Sequence, residues 1–467
     1  MLTRYNAALL LLQAGGVIDM ILLASWSSIF ANIGQFILAF SILVVLHEMG
    51  HFLPAKWFGC RVEKFYLFFN PWFSLWKKQV GETEYGLGWV PLGGYVKIAG
   101  MIDESMDKEQ MKQPAQPWEF RSKPAWQRLI IMLGGVIVNF LLAFVLFAFI
   151  LFKWGEERLP VKNLKYGLSA DSLANAVGIR DGDLITAVNN KPLVYMNDLP
   201  KELLLNKQPS LQINRNGADT AINLPAGFLS TLTKNQLRGF VSPRLPVVVD
   251  SVTPQIVFTN GELRKGDQLV RLNNERFSYF DEFDSLKKKY KNQNVTLTAL
   301  RNGDSTTIGV KIKTDGSIGF FSKATDKLLG LDTIKYSFAE AIPAGVTYGM
   351  KRLREYITGI GLLFTSKEHK VSDNLGSVIS IGKTFGGTWD WHRFWTMTAL
   401  FSIILAFMNI LPIPALDGGH ALFTLYEMIT GRKPSDKFME YAQMVGMVLL
   451  LGLMLYAFGL DIWRLFK

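Results

Sequence analysis

Four stretches of this chain are long and apolar enough to cross a lipid bilayer, and they constrain its fold more than any other feature. A spanning helix needs ~20 predominantly apolar residues. Residues 33–52, 129–152, 394–411 and 442–463 reach or approach that length. In hydrocarbon each backbone must satisfy its own hydrogen bonds, so these runs are expected as helices. Charged residues make up 19% of the chain, below the ~25% of ordinary soluble domains. That argues against a soluble enzyme and against a disordered chain. Residues 7–25 are also apolar, but Gln13, Gly15, Gly16 and Asp19 interrupt them. They read as an interfacial helix, a fifth span, or an extension ahead of an alternative initiator at Met20. A cleaved signal peptide has little support, because Arg4 alone supplies the basic segment.

Lysine and arginine in short connections mark the cytoplasmic side of a membrane protein. Residues 53–128 carry Lys56, Arg61, Lys77, Lys78, Arg121 and Arg128 among others, and Arg432, Lys433 and Lys437 follow the third run. Both connections are expected in the cytoplasm and residues 153–393 outside. The net charge of +11 then belongs to membrane-facing loops, and no nucleic-acid module is expected. Cys60 is the single cysteine, which excludes an intrachain disulfide and a thiolate zinc finger.

The outer region reads as two similar α+β units. Each has β-branched runs and a Gly-Asp turn followed by an apolar strand. The turns are Gly182-Asp183 and Gly266-Asp267, 84 positions apart, about one small domain. SLQINRNG and NVTLTALRNGD each end in an Asn-Gly pair that predicts a hairpin. The pair is expected to be PDZ-like, a fold whose usual chemistry is strand addition of an extended peptide to a sheet edge.

The end of the first apolar run reads His47-Glu48-Met49-Gly50-His51, an HEXXH pattern. Residues four apart on a helix share a face, so two imidazoles reach one metal with a carboxylate beside them. Zinc suits two imidazoles and an open position for water. Three ionisable residues at the end of a spanning helix are costly without a function. A third protein ligand is expected at the same membrane level. His369 and His392 fall on the opposite side. The stretch NILPIPALDGGH, Asn409–His420, lies at the cytoplasmic end of the third run, where Pro412 and Pro414 break the helix. Asp417 or His420 is the candidate.

Together the HEMGH at 47–51, the NILPIPALDGG at 409–419, the four spans and the two inserted units resemble the site-2 protease family of intramembrane zinc metalloproteases, in its bacterial RseP type. The resemblance runs from about residue 31 to the end of the chain. It implies a polytopic α-helical membrane protein of four transmembrane helices, with two PDZ-like α+β domains between the second and third. The implied organisation is an N-terminal extension (1–30), a first membrane half (31–152), PDZ-like domains at 159–243 and 244–322, an amphipathic helical connector (323–393) and a second membrane half (394–467). His47, His51 and Asp417 would bind one zinc ion, with Glu48 as general acid and base. Asn409 and Pro412 match positions beside the substrate. Residues 84–97, with Gly86, Gly88, Gly93 and Gly94, look like the family's membrane-entering β-hairpin, an edge on which an unwound substrate could pair. The implied partners are the lipid bilayer and single-pass membrane proteins, namely anti-sigma factors after a first cleavage and signal-peptide remnants. Residues 374–387 resemble the stretch before the third span, an amphipathic surface helix on its pattern alone. The first ~30 residues depart from the family's usual pattern. So do Asn70-Pro71 and the segment before Gly266, which lacks the usual run of small residues. The rival reading is a membrane-anchored peptide-binding scaffold with a structural metal, which would have no need of Glu48. A transporter is disfavoured by the lack of an inverted repeat.

Overall fold

The computed structural model describes residues 2–101, 113–204, 209–228, 232, 240–253, 256–365 and 384–465, with side chains described from Ser27 onward apart from scattered positions. It divides into two compact units, Met1–Gly155 with Lys335–Lys467, and Glu156–Ile334.

The first unit is built from α1 (Leu2–Trp57), strands β1 (Val62–Phe69), β2 (Trp76–Val80), β3 (Thr83–Leu87) and β4 (Val90–Ile98), then α2 (Ala125–Lys153), α3 (Phe338–Thr365), α4 (Trp391–Ile410), α5 (Asp417–Thr430) and α6 (Asp436–Leu465). Among the described residues, four helical stretches have the length and apolarity to cross a membrane: Ser27–Trp57 in α1, Ala125–Lys153, Trp391–Ile410 and Lys437–Leu460 in α6. They coincide with the four apolar runs. The choices left open for residues 7–25 turn on side chains outside the described ones. Most of the helix expected over 374–387 also lies outside the described residues.

Helix α2 is the hub, packed against α1, α3, α4 and α5. Lipid is as apolar as leucine, so helices in a bilayer associate where small residues let backbones approach. Gly50 of α1 meets α2 in this way. A Cβ added there would lie 2.6 Å from the carbonyl carbon of Gly134 and 2.8 Å from the Cα of Gly135. Further along α2, Ala143, Phe147 and Ile150 pack on Ala399 and Ile403 of α4. Helix α6 instead exposes Val445, Val448, Leu449 and Leu455, a face suited to lipid.

The four strands form one sheet in the order β2-β3-β1-β4. This corrects the hairpin expected over 84–97: β3 and β4 do not pair with each other. Strand β1 lies between them, parallel to β3 and antiparallel to β4, and the hairpin is β2 with β3. β1 (VEKFYLFF) takes an inner position, with Tyr66 buried. Gly88 sits against the carbonyl of Phe69, where no side chain would fit. An alternating pattern reports strands but not which neighbour each one chooses.

The second unit holds two apolar cores. One gathers Leu168, Ile179, Ile185, Leu211 and Ile213, and the other Val247, Leu269, Leu297, Ile308 and Val310. Each core is closed by the same bolt. The Asp183 carboxylate takes the Nε and Nη2 of Arg215 at 2.8 Å and the amide of Arg180 at 2.8 Å. Asp267 repeats this with Arg301 and the amide of Arg264, again at 2.8 Å. The expected hairpins are present: Ser210–Arg215 pairs with Ala218–Asn223 and Asn294–Arg301 with Asp304–Lys311. Their turns carry positive φ at Asn216 and Gly217 (51° and 87°) and at Asn302 and Gly303 (53° and 95°), as the two-residue turns of twisted hairpins require.

Candidate metal centre

Helical spacing puts His47 and His51 on one face of α1, and both are buried at 8% exposure. The backbone contact at Gly50 presses that face onto α2, so α2 supplies what surrounds the rings. His51 Nδ1 is 2.8 Å from the carbonyl oxygen of Ile131, which calls for a proton on Nδ1, so that in the neutral ring Nε2 carries the free lone pair. Asn139, fully buried, places its carboxamide 3.1 Å from His47 Nδ1. Gly135 lies under both rings: a Cβ there would be 2.5 Å from His47 Cε1. Gly134, Gly135, Asn139 and the Ile131 carbonyl escaped the sequence reading. The signal was present, since GGVIVN puts paired glycines and a polar residue inside a spanning helix.

The third donor arrives from a broken helix. α4 ends at Ile410, and Pro412 and Pro414 deny the next turn its amide donors. Ala415 is held at φ 81°, a left-handed conformation costing about 1–3 kcal/mol for a non-glycine residue. Asp417 then opens α5, which folds back closely because Gly418 and Gly419 lie against the carbonyls of Ile410 and Ile413. Gly446 of α6 packs on the carbonyl of Pro414.

Among the described residues, His47, His51 and Asp417 are the group able to hold a metal ion. The two Nε2 atoms are 3.3 Å apart, and Asp417 Oδ2 is 3.3 Å from one and 3.4 Å from the other. Oδ2 is buried and, despite these distances, accepts no well-formed hydrogen bond. Bare lone pairs converging this closely repel unless a cation lies between them. Ligands ~2.0–2.1 Å from a tetrahedral zinc stand ~3.3–3.4 Å apart, so the triangle fits zinc. His420, the other candidate, lines the same cavity but lies outside this group.

That cavity, about 420 Å³, is also lined by Glu48, Gly94, Tyr95, Lys64 and Gln443. Gly94 brings β4 against α1: a Cβ there would be 2.6 Å from Val44 Cγ1 and 3.4 Å from Glu48 Cγ. The other glycines singled out serve the sheet. Gly86 faces the Tyr66 ring, Gly88 the Phe69 carbonyl and Gly93 the Phe69 ring. Asn409 places its Nδ2 3.2 Å from His47 Nε2, whereas Pro412 is exposed beyond the helix end. Helix breaking, a carboxylate at a helix start and the cavity together make a candidate metal site near the end of a helix long and apolar enough to span a membrane.

Comparison with known proteins agrees with this chemistry. The model for Peptidase family M50 matches residues 35–453. A protein of Treponema pallidum named "Putative zinc metalloprotease" is 27% identical, over 92% of this chain and 98% of its own length. A Ralstonia nicotianae protein with a name of the same kind is also 27% identical, over 92% and 98%. The "Regulator of sigma E protease" of Haemophilus influenzae is 25% identical, over 93% and 99%. The chain belongs to Peptidase family M50. It is a zinc metalloendopeptidase, and its described residues include four helices long and apolar enough to cross a membrane.

Proposed function

We propose that His47, His51 and Asp417 hold the zinc and that Glu48 is the general acid and base of an intramembrane protease. The donor triangle beside Glu48, in a cavity at the end of a spanning helix, carries this reading. Zinc, when bound, polarises a carbonyl and lowers the pKa of water toward ~7. Glu48 takes the proton of the attacking water and returns it to the leaving amine. Asn409 Nδ2, next to His47, donates to the oxygen on which charge develops.

A transmembrane helix resists cleavage because its carbonyls are hydrogen-bonded. The substrate therefore unwinds and lies along β4, the sheet edge that lines the cavity and passes Glu48 at Gly94. The substrates are transmembrane segments of single-pass proteins in a bacterial inner membrane. They comprise anti-sigma factors already cut outside and signal-peptide remnants, as the family resemblance implies; the name of the Haemophilus relative refers to sigma E regulation. The basic connections put the metal centre toward the cytoplasm and residues 156–334 outside.

The two modules at 159–243 and 244–322 are PDZ-like and screen substrates by size. Their separate cores and repeated Asp–Arg bolts support this. The first keeps a cavity of about 310 Å³ between the helix Leu199–Leu204 and the strand Val241–Pro243. In the second, Phe280 and Phe283 of the helix Phe280–Lys289 and Phe320 of the strand Phe320–Ser322 bring their rings together. Peptide binding is thus expected of the first module.

The test is cleavage of a single-span substrate in detergent by wild type and Glu48→Gln at matched zinc content. Loss of at least ~100-fold with zinc retained is expected. Equal cleavage by both would refute the role of Glu48.

A further inference from the structure

Two asparagines address the same imidazole from opposite sides. Asn139 Nδ2 lies 3.1 Å from His47 Nδ1, and Asn409 Nδ2 lies 3.2 Å from His47 Nε2. Both amide nitrogens are donors, yet a neutral imidazole accepts at one nitrogen only and donates from the other. One of the two amides must present its oxygen instead.

The rest of the site decides which. His47 Nε2 converges with His51 Nε2 and Asp417 Oδ2, so its lone pair is the one a metal would use and the proton belongs on Nδ1. His51 already follows this pattern, giving Nδ1 an acceptor in the Ile131 carbonyl. His47 needs the same, and the group against its Nδ1 is Asn139. Turning that carboxamide over exchanges oxygen and nitrogen at almost no change of shape. Asn139 Oδ1 is buried and has no hydrogen-bond partner where it stands, so no bond opposes the exchange.

The backbone around Asn139 is tied as well. Ser402 of α4 donates its hydroxyl to the Asn139 carbonyl at 2.7 Å, and Asn409 lies two turns further along α4. Asn139 thus joins α1, α2 and α4 at the metal centre.

We infer that Asn139 is a positioning residue of that centre: its side-chain oxygen accepts the Nδ1 proton of His47 and fixes the tautomer whose Nε2 faces Asp417 and His51. This rests on the ligand assignment proposed above. Partners of this kind beyond the ligands typically govern metal affinity by 10–100-fold.

The test compares Asn139→Leu, of similar size without an acceptor, with Asn139→Asp, of the same shape with one. Zinc affinity is measured by chelator competition on full-length protein in detergent, alongside the absorption spectrum of the cobalt(II) form and the melting temperature of the metal-free form. Asn139→Leu should bind zinc ~10–100-fold more weakly and alter the cobalt spectrum, while Asn139→Asp stays within about threefold of wild type. Zinc affinity unchanged in Asn139→Leu, or weakened equally in Asn139→Asp, would overturn the inference. If Asn139→Leu fails to fold, the Asn139→Asp result decides alone. His51→Ala separates the two levels. If it binds zinc as wild type does, the metal site itself is wrong; if it loses zinc while Asn139→Leu keeps it, only the role of Asn139 is.

Discussion

Alanine at position 135 adds one methyl group at the most confined point of the site. The new carbon would stand 2.5 Å from His47 Cε1 and 2.7 Å from His47 Nδ1, and closer still to His51 Nε2. Ordinary contact begins at 3.4 Å, so the rings or α2 must move by about 1 Å, five times the ~0.2 Å that metal–ligand distances tolerate. Overpacking of this kind costs about 1–3 kcal/mol of folding stability. The displaced ligands should weaken zinc binding by at least ~100-fold, or about 2.8 kcal/mol. Chelator competition gives the affinity, and cleavage of a single-span substrate should fall in parallel at limiting zinc. Gly452→Ala is the control, because no atom lies within 4 Å of its added carbon, and it should behave as wild type. Gly135→Ala protein with zinc affinity within threefold of wild type would refute the packing of α2 beneath the histidines.

Gly94→Ala should separate alignment from metal binding. The added carbon meets Val44 and the Tyr66 carbonyl at 2.6 and 2.7 Å, pushing β4 off α1, so cleavage should fall ~100-fold while zinc stays bound; equal loss of both would count against β4 as the substrate edge. Asp267→Ala removes a buried carboxylate and the hydrogen bonds it accepts from Arg301 and the Arg264 amide, while Arg301 can turn to solvent; it should destabilise the second module by about 1–3 kcal/mol, read by denaturant melts with the metal centre unaffected. The Arg301 pair holds the Asp267 carboxyl below its ordinary value of 3.8. Its stabilisation is therefore complete above that value and drains away as pH falls through the lower folded one. Acid melts of wild type should steepen below about pH 4, and Asp267→Ala should flatten that dependence.

Local pattern made much of this molecule legible. Four runs of spanning length stood out against the bilayer's thickness, and helical spacing in HEXXH was enough to put His47 and His51 on one face. The Asn-Gly pairs at 216–217 and 302–303 named their hairpins because few other residues accept positive φ. What stayed hidden came from residues distant in sequence. The partner of β3 is β1, reached across the β2 hairpin, and no alternation in 84–97 encodes that choice. Gly135 and Asn139 are some ninety residues from His47, and they belong to the site only because Gly50 and Gly134 let two helices touch. Pattern points to candidate donors, whereas packing determines what surrounds them.

X-ray absorption at the zinc edge, with metal content of the wild type and the His47→Ala, His51→Ala and Asp417→Ala variants, tests the donor triangle itself. One zinc per wild-type chain is expected, with two imidazole nitrogens and a carboxylate oxygen at ~2.0–2.2 Å, and it should be lost in each variant. A wild-type spectrum showing a single imidazole, or full zinc in Asp417→Ala, would contradict that triangle.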